Sequence, residues 1–391
     1  MVKLKNISFS SYKKFEDKGV VEIRPITILI GKNSSGKSSI SKLFPMFEKA
    51  LCASSLSPFS FENDGVALGA SFSDISHNGN NIGLSFGLEY EDGFSLDVEF
   101  ISKIGNYDYW IKRYQVSFAG MHSILEQKKD QSAYIDINSN KEYSSYGFRG
   151  FVNEEFLKAN GINSVRPYRL HTDYIGPFRV FPKRVYCQRI SSLSNKVGYD
   201  GSWAYDNLNL SKELLSVVSG WYSSKFGCEL TLKQLDNGVF SVNVRNKNSG
   251  HETNIADEGQ GMSQILPIVT RCNMVDEKDT VIAVEQPELH LHPAAHEAVA
   301  ELFVETSKKN NHRYVIETHS KNFLLEIRNL VADKTNPFTK DDVIIYYVNE
   351  CGDNAVLDEI GIDENGNVSD WPEEVFNESF ELMKKLRKNA E

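Results

Sequence analysis

One stretch restricts the fold more than any other: Ile26-Thr27-Ile28-Leu29-Ile30, continued at once by Gly31-Lys32-Asn33-Ser34-Ser35-Gly36-Lys37-Ser38. The β-branched, mostly apolar run suits a strand buried on both faces. Gly31–Ser38 satisfies the full Gly-x-x-x-x-Gly-Lys-Ser pattern of a loop whose backbone N–H groups surround a phosphate. A helix is expected from near Ser38 to Pro45 or just before it, because the residue preceding a proline disfavours helical backbone. Its N-terminus would add positive potential at the same anion. Gly31, Asn33, Ser34, Ser35, Gly36, Lys37, Ser38 and Ser39 are therefore candidate phosphate-binding residues. Lys37 would bridge β- and γ-phosphates, and the Ser38 hydroxyl would ligate Mg2+.

The rest of the chain offers the sheet that such a loop needs. After about Arg166, strands and helices alternate: Tyr168–Ile175 reads as a strand, Lys212–Lys225 as a helix, and Cys228–Leu232 with Val239–Val244 as a hairpin. Ser263–Thr270, Val281–Val284, Ala294–Ser307, Tyr314–Glu317 and Asn322–Asn329 continue as helix, strand, helix, strand, helix. This alternation implies an α/β fold with a mainly parallel sheet covered by helices. Lys3–Phe9 and Val20–Ile23 read as short strands. Between Ser54 and Asn163 the texture changes. Gly, Asn, Ser and Asp punctuate Ile82–Leu88, Ser95–Ile101, Tyr107–Val116 and Tyr134–Ile137, which marks a hairpin-rich antiparallel region. No heptad or internal repeat runs through it, so it is not a long coiled-coil arm.

Further chemistry sits where strands end. Val281-Ile282-Ala283-Val284-Glu285-Gln286-Pro287-Glu288 is an apolar strand closing on an acid, the way a phosphate-loop protein holds magnesium from the neighbouring strand. Glu285 fills that position, a metal ligand alongside Ser38. Tyr314-Val315-Ile316-Glu317-Thr318-His319-Ser320 ends in a histidine that can donate a hydrogen bond to a γ-phosphate. Asp257-Glu258-Gly259-Gln260-Gly261-Met262-Ser263-Gln264 opens a helix with no large side chain before Met262. Its N–H groups suit an anion, which makes Asp257, Gly259, Gly261 and Ser263 candidates; a simple helix cap reads the same way. His290, His292 and His296 mimic a zinc spacing. Pro293 restarts the chain for the next helix, so a connecting turn is the better reading.

Composition removes several classes. Hydrophobic residues make up 40% and charged residues 25%, which excludes wholesale disorder. A chain of 391 residues needs one large domain with an insertion, or two domains. No apolar run reaches the roughly 18–20 residues of a membrane helix. Met1-Val2-Lys3-Leu4-Lys5 alternates like a strand and lacks the apolar core of a signal peptide, so a cytoplasmic protein without a membrane partner is expected. The net charge of −10 disfavours a nucleic-acid coat protein but leaves room for a local basic patch, and hence for DNA. Arg179, Lys183, Arg184 and Arg189 could form such a strip or be solvated charges. Cys52, Cys187, Cys228, Cys272 and Cys351 form no CxxC pair and read as reduced thiols.

The opening residues, Gly31–Ser39, Asp257–Gln264, Glu285–Pro293 and Thr318-His319-Ser320 together resemble the ATPase heads of the ABC class in its RecF, SMC and OLD branch. Ile362-Asp363-Glu364-Asn365-Gly366-Asn367-Val368-Ser369-Asp370-Trp371-Pro372 is similar to the short tail domain of one bacterial subfamily of these ATPases. The resemblance covers the two outer parts of the chain and leaves Ser54–Asn163 aside. It implies a P-loop NTPase fold with an ABC-type head split over 1–53 and 164–345, an inserted β-rich region 54–163, and a tail 346–391. It implies ATP and Mg2+ as cofactors, Gly31–Ser38 as Walker A, Glu285 as the Walker B acid and His319 as the switch histidine. Asp257–Gln264 would be the signature that reaches the γ-phosphate of a second subunit. One departure matters: the acid expected immediately before the proline is Gln286, and the nearest spare carboxylate is Glu288. A glutamine orients water but cannot take its proton. Glu285, Gln286, Glu288 and His319 are thus the catalytic candidates, with slow turnover or with Glu288 as base.

These readings converge on an ATP-hydrolysing switch that forms an ATP-linked homodimer or higher oligomer. OLD relatives often carry a Toprim nuclease domain, for which the stretch after Ser320 is too short. A nuclease or toxin would then be a separate effector, in anti-phage defence or DNA repair by family analogy. The rival is a non-hydrolysing scaffold locked by ATP. A stand-alone nuclease needs a carboxylate–metal cluster that the sequence does not offer.

Overall fold

The computed structural model describes residues 2–103, 108–188, 195–276, 278–369 and 371. The strand Ile26–Gly31 lies within a six-stranded sheet ordered Thr172–Ile175, Thr280–Glu285, His312–Glu317, Ile26–Gly31, Val343–Cys351, Asn354–Ile360. Neighbours are parallel except for the last pair. Side chains alternate between two cores. Ile26, Ile28, Ile30, Ile282, Val284 and Ile316 enter one; Leu29, Val281, Ala283, Val315 and Ile344 enter the other. Burial on both faces is why these strands read as continuous apolar runs.

Helices Gln260–Asn273, His296–Lys309 and Lys321–Ala332 contribute Ile265, Val299, Phe303, Phe323 and Ile327 to the first core. The other core is shared with helix Leu43–Leu51, through Leu43, Phe44 and Phe47, and with a second sheet. The helix expected to end at or before Pro45 ends at Ser41, but a second helix, which the sequence did not announce, begins at once and contains Pro45. Lys37–Ser41 is followed directly by Leu43–Leu51, with Pro45 in the first turn, where a backbone N–H would have no helical partner.

The second sheet has eight antiparallel strands, ordered Glu142–Ser144, Ala133–Asp136, Met121–Gln127, Tyr109–Phe118, Ser95–Ser102, Ile82–Tyr90, Leu4–Ser10, Gly19–Glu22. Leu4–Ser10 pairs with Ile82–Tyr90, so the N-terminal strands and the region 54–163 share one sheet. The fourth strand in this order begins at Tyr109; Tyr107 lies outside the described residues. The expected boundary between 345 and 346 falls inside Val343–Cys351, and the parallel sheet continues to Ile360. Beyond it, Ile362 bridges Val368, and the Gly366 carbonyl accepts from Arg328 Nε at 2.6 Å on helix Lys321–Ala332. Asp370, Pro372 and the basic run Lys384–Lys388 lie outside the described residues.

A buried charge lattice fixes helix Gln260–Asn273 to the sheet. Arg271 Nε donates to Asp173 Oδ2 at 3.0 Å and Nη2 to Asp276 Oδ2 at 2.5 Å, while His312 Nε2 meets Asp276 Oδ2 at 2.9 Å. Leaving one such charge unpaired typically costs about 3–5 kcal/mol, so this helix is held rigidly.

Candidate functional site

The phosphate loop owes its shape to backbone that few residues tolerate. Gly31 has φ 151°, and a Cβ there would lie 2.6 Å from the Val348 carbonyl oxygen of the next strand. Ser34 (φ 63°) and Gly36 (φ 112°) are left-handed, the kind of backbone from which anion-binding nests are built. Asn33 is exposed at the loop's crest, whereas the buried Ser35 hydroxyl has no hydrogen-bond partner.

Lys37 is 2% exposed, and its Nζ donates to the carbonyls of Gly31 (3.0 Å) and Lys32 (2.6 Å). Burial lowers its pKa, opposed by Glu317 and Glu285. Ser38 Oγ donates to Glu317 Oε2 at 2.7 Å, and Lys37 Nζ stands 3.8 Å from Glu317 Oε1. Two open spaces meet at this point. One, of about 510 Å³, is lined by Lys13, Lys14, Ser34, Gly36, Lys37 and Ser39 among others; the second, of about 640 Å³, by Lys42, Tyr174, Phe178, Glu285 and Gln286. Ser38 and Glu317 line both.

Glu285 stands at the end of its strand, but not on the strand next to the phosphate loop. The strand His312–Glu317 intervenes, and its last residue, Glu317, pairs in register with Glu285. Glu285 Oε1 accepts from the Tyr174 hydroxyl at 2.6 Å, and burial raises its pKa. The Glu317 carboxyl is pushed up to about 7, by burial first and by the Glu285 charge second. Sequence reasoning missed Glu317 as a site residue. An acid in an otherwise apolar strand, directly before Thr318-His319-Ser320, was the signal.

Gln286 comes next in left-handed backbone (φ 45°), with its N–H donating to the Glu317 carbonyl at 2.8 Å. Arg179 Nη2 holds the turn by donating to the carbonyls of Glu285 (2.8 Å) and Gln286 (2.9 Å). Arg179 is therefore no part of a basic surface strip. It is 4% exposed, burial pushes its pKa down to about 10, and its Nε and Nη1 have no partner. Lys183 is exposed, Arg184 is paired with Asp257, and Arg189 lies outside the described residues.

Glu288 Oε1 accepts from Thr318 Oγ1 at 2.8 Å and from the His319 N–H at 2.7 Å, while Oε2 is buried without a partner. The carboxylate thus ties the turn after one strand to the turn after the next. His319 keeps solvent access; partial desolvation and then the Lys37 charge lower its pKa. Neither Glu288 nor His319 lines the two spaces. His292 Nδ1 accepts from the Ala294 N–H at 3.3 Å within the connecting turn, and His296, the first residue of the following helix, meets Ser320 Oγ through Nδ1 at 2.7 Å. Among the described residues, no three His, Cys, Asp or Glu side chains converge to hold a metal.

The glycine-rich helix start stands apart. Asp257 takes both Arg184 guanidinium nitrogens, at 2.8 and 2.5 Å. Gly259 caps helix Gln260–Asn273, and Ser263 Oγ donates to the Gln260 carbonyl at 3.1 Å. Nothing lies near a Cβ at Gly259, whereas one at Gly261 would sit 2.9 Å from the His290 carbonyl oxygen. Asp257, Gly259, Gly261 and Ser263 do not line the spaces around Lys37 within one chain.

As a cation site, Ser38, Glu285 and the phosphates of a nucleotide would offer hard oxygens. That set suits Mg2+, which uses one or two carboxylates and keeps waters.

Residues 199–324 match a family described as an AAA ATPase domain, which takes in Asp257–Gln264, Glu285 and His319. Residues 339–386 match DUF3696, a family described as a protein of unknown function. No curated protein matches the sequence. Solved structures similar to this chain include an SMC head domain from Thermotoga maritima, at 12% identity and TM-score 0.46, covering 92% of this chain and all of that one (100%). Another is an Smc head domain with an extended coiled coil, bound to the C-terminal domain of ScpA and derived from Pyrococcus furiosus, at 11% identity and TM-score 0.48, covering 99% and 100%. No helix among the described residues is long and apolar enough to cross a membrane. With its phosphate loop at the end of a parallel strand and an AAA ATPase domain matched over residues 199–324, the chain is a P-loop ATPase of α/β fold, and residues 339–386 carry a DUF3696 segment.

Proposed function

We propose that this chain is a cytoplasmic ATP-hydrolysing switch that dimerises around two nucleotides and controls a separate effector, such as a nuclease or toxin, in anti-phage defence or DNA repair. The observation that carries the nucleotide site is the meeting of Lys37, Ser38, Glu285 and Glu317 at one end of a parallel sheet, beside open space. Lys37 exchanges its two carbonyl partners for β- and γ-phosphate oxygens. Ser38 and Glu285 hold Mg2+, which when bound neutralises phosphate charge. Gln286, on the wall of the larger space, orients the attacking water. Glu288 acts through His319, whose backbone it grips, and His319 donates to the γ-phosphate. Asp257, Gly259, Gly261 and Ser263 serve the nucleotide of the opposite subunit. The head spans 1–53 and 164–345 together with the sheet strands up to Ile360. The region 54–163 is its β-rich lobe, and the remainder is the tail.

A second reading, a non-hydrolysing scaffold, gains support from two observations. Gln286 cannot take a proton, and Glu288 Oε1 already accepts two hydrogen bonds away from the cavity. Phosphate release, measured with and without DNA, separates the readings. Steady release that stops in Lys37→Ala supports the switch. Tight ATP binding with no release in any condition supports the scaffold.

A further inference from the structure

We propose that Glu317 is a direct ligand of the divalent cation that accompanies ATP, so that Ser38, Glu285 and Glu317 hold it together. This rests on reading the cavity as an ATP site. Three observations point to it.

The first is position. Glu317, not Glu285, ends the strand adjacent to the phosphate loop, and it lines both open spaces together with Ser38. The second is donor spacing. Ser38 Oγ and Glu317 Oε2 are 2.7 Å apart, close to the roughly 3 Å edge of an octahedron with Mg–O bonds near 2.1 Å. The hydroxyl that a phosphate-loop protein gives to magnesium already touches this carboxylate.

The third is charge. Glu285 and Glu317 are 5% and 4% exposed and lie in register on adjacent parallel strands, whose backbones run about 4.8 Å apart. Glu288 adds a third negative charge nearby, and Lys37 is the principal opposing cation at Glu317. Glu285 has Lys42 and Lys37, together with the Tyr174 hydroxyl. A triphosphate entering the loop draws the Lys37 ammonium to itself and adds negative charge of its own. Two buried carboxylates facing each other then require a replacement cation, and a divalent ion between them and the phosphates supplies it. A hydrogen bond from Ser38 alone would not meet that need.

The test is Glu317→Gln in the full chain, which keeps the shape and removes the charge. The readouts are Mn2+ binding to the complex with a non-hydrolysable ATP analogue, followed by electron paramagnetic resonance, and analogue affinity in Mg2+ and in EDTA. The variant should bind the analogue in EDTA at least as well as wild type, since a negative charge has left the phosphate site. Its Mn2+ affinity, and the gain in analogue affinity from Mg2+, should fall by at least about tenfold, since even outer-shell partners of a metal act in that range. Wild-type Mn2+ affinity in the variant overturns the inference while leaving the ATP site intact. A wild-type protein that binds no analogue in either buffer overturns the ATP site itself. Should Glu317→Gln fail to fold, the same titration on Glu317→Asp decides: weakened Mn2+ binding supports the assignment, and unchanged binding rejects it.

Discussion

Gly259 and Gly261 should respond to substitution in opposite ways, and the difference tests the trans role of this helix start. At Gly261 a Cβ would meet the His290 carbonyl oxygen at 2.9 Å and Leu291 Cδ2 at 3.3 Å. The oxygen belongs to backbone, so Gly261→Ala forces helix Gln260–Asn273 to shift at a cost of about 1–3 kcal/mol. Any lost function there would be confounded with lost fold. Gly259 has no neighbour within 4 Å of such a Cβ and ordinary extended backbone (φ −58°, ψ 144°). Gly259→Glu should therefore fold normally. A carboxylate at the helix N-terminus even interacts favourably with the dipole, by about 0.3–1 kcal/mol. Facing the triphosphate of a second head, the same carboxylate is repelled. One pair of like charges about 4 Å apart costs roughly 4 kcal/mol at an effective dielectric of about 20. Association should weaken by more than about a hundredfold. Urea unfolding reads the first effect, and light scattering with a non-hydrolysable ATP analogue reads the second. If Gly259→Glu associates and turns over like wild type, the helix start does not meet the opposite nucleotide.

Lys37→Ala should cost about 1.5–3 kcal/mol or more of ATP affinity by removing a charged donor, as a titration with fluorescent ATP would show; unchanged affinity would reject the nucleotide site. Because Lys37 is buried beside Glu317, the variant should also lose some stability. Arg179→Met removes the clamp on the Glu285–Gln286 turn and should slow phosphate release more than it weakens ATP binding; equal loss of both would assign Arg179 to folding alone. His312 is fully buried, and burial lowers its pKa. The unfolded chain then takes up a proton that the folded one excludes, so this contribution is complete above about pH 6.5 and lost as pH falls below it, with a slope of up to about 1.4 kcal/mol per unit. Urea titrations of wild type and His312→Gln should show the smaller slope in the variant. An equal slope would place the acid sensitivity elsewhere.

Much of the candidate site was legible because short-range chemistry writes it. Gly31, Gly36, Lys37 and Ser38 are demanded by one loop, and the strands ending at Glu285 and Glu317 are apolar throughout because both faces are covered. Strand order was not legible, since no local signal says which parallel strand lies next to which. Glu285 was accordingly given the place that Glu317 occupies. Arg179 looked like surface charge because its partners, the carbonyls of Glu285 and Gln286, lie far along the chain. Met121–Gln127 escaped notice because its mixed side chains lack a β-branched run, and its pairing with Tyr109–Phe118 supplies what propensity does not. The joining of Leu4–Ser10 to Ile82–Tyr90 is likewise a long-range pairing that no spacing rule announces.

The measurement that bears most directly on the central claim is phosphate release from purified protein supplied with ATP and Mg2+, run beside Lys37→Ala. The account predicts slow, sustained turnover in the wild type that disappears in the variant. Bound ATP recovered unhydrolysed from the wild type after many hours, with no phosphate above the Lys37→Ala background, would contradict it.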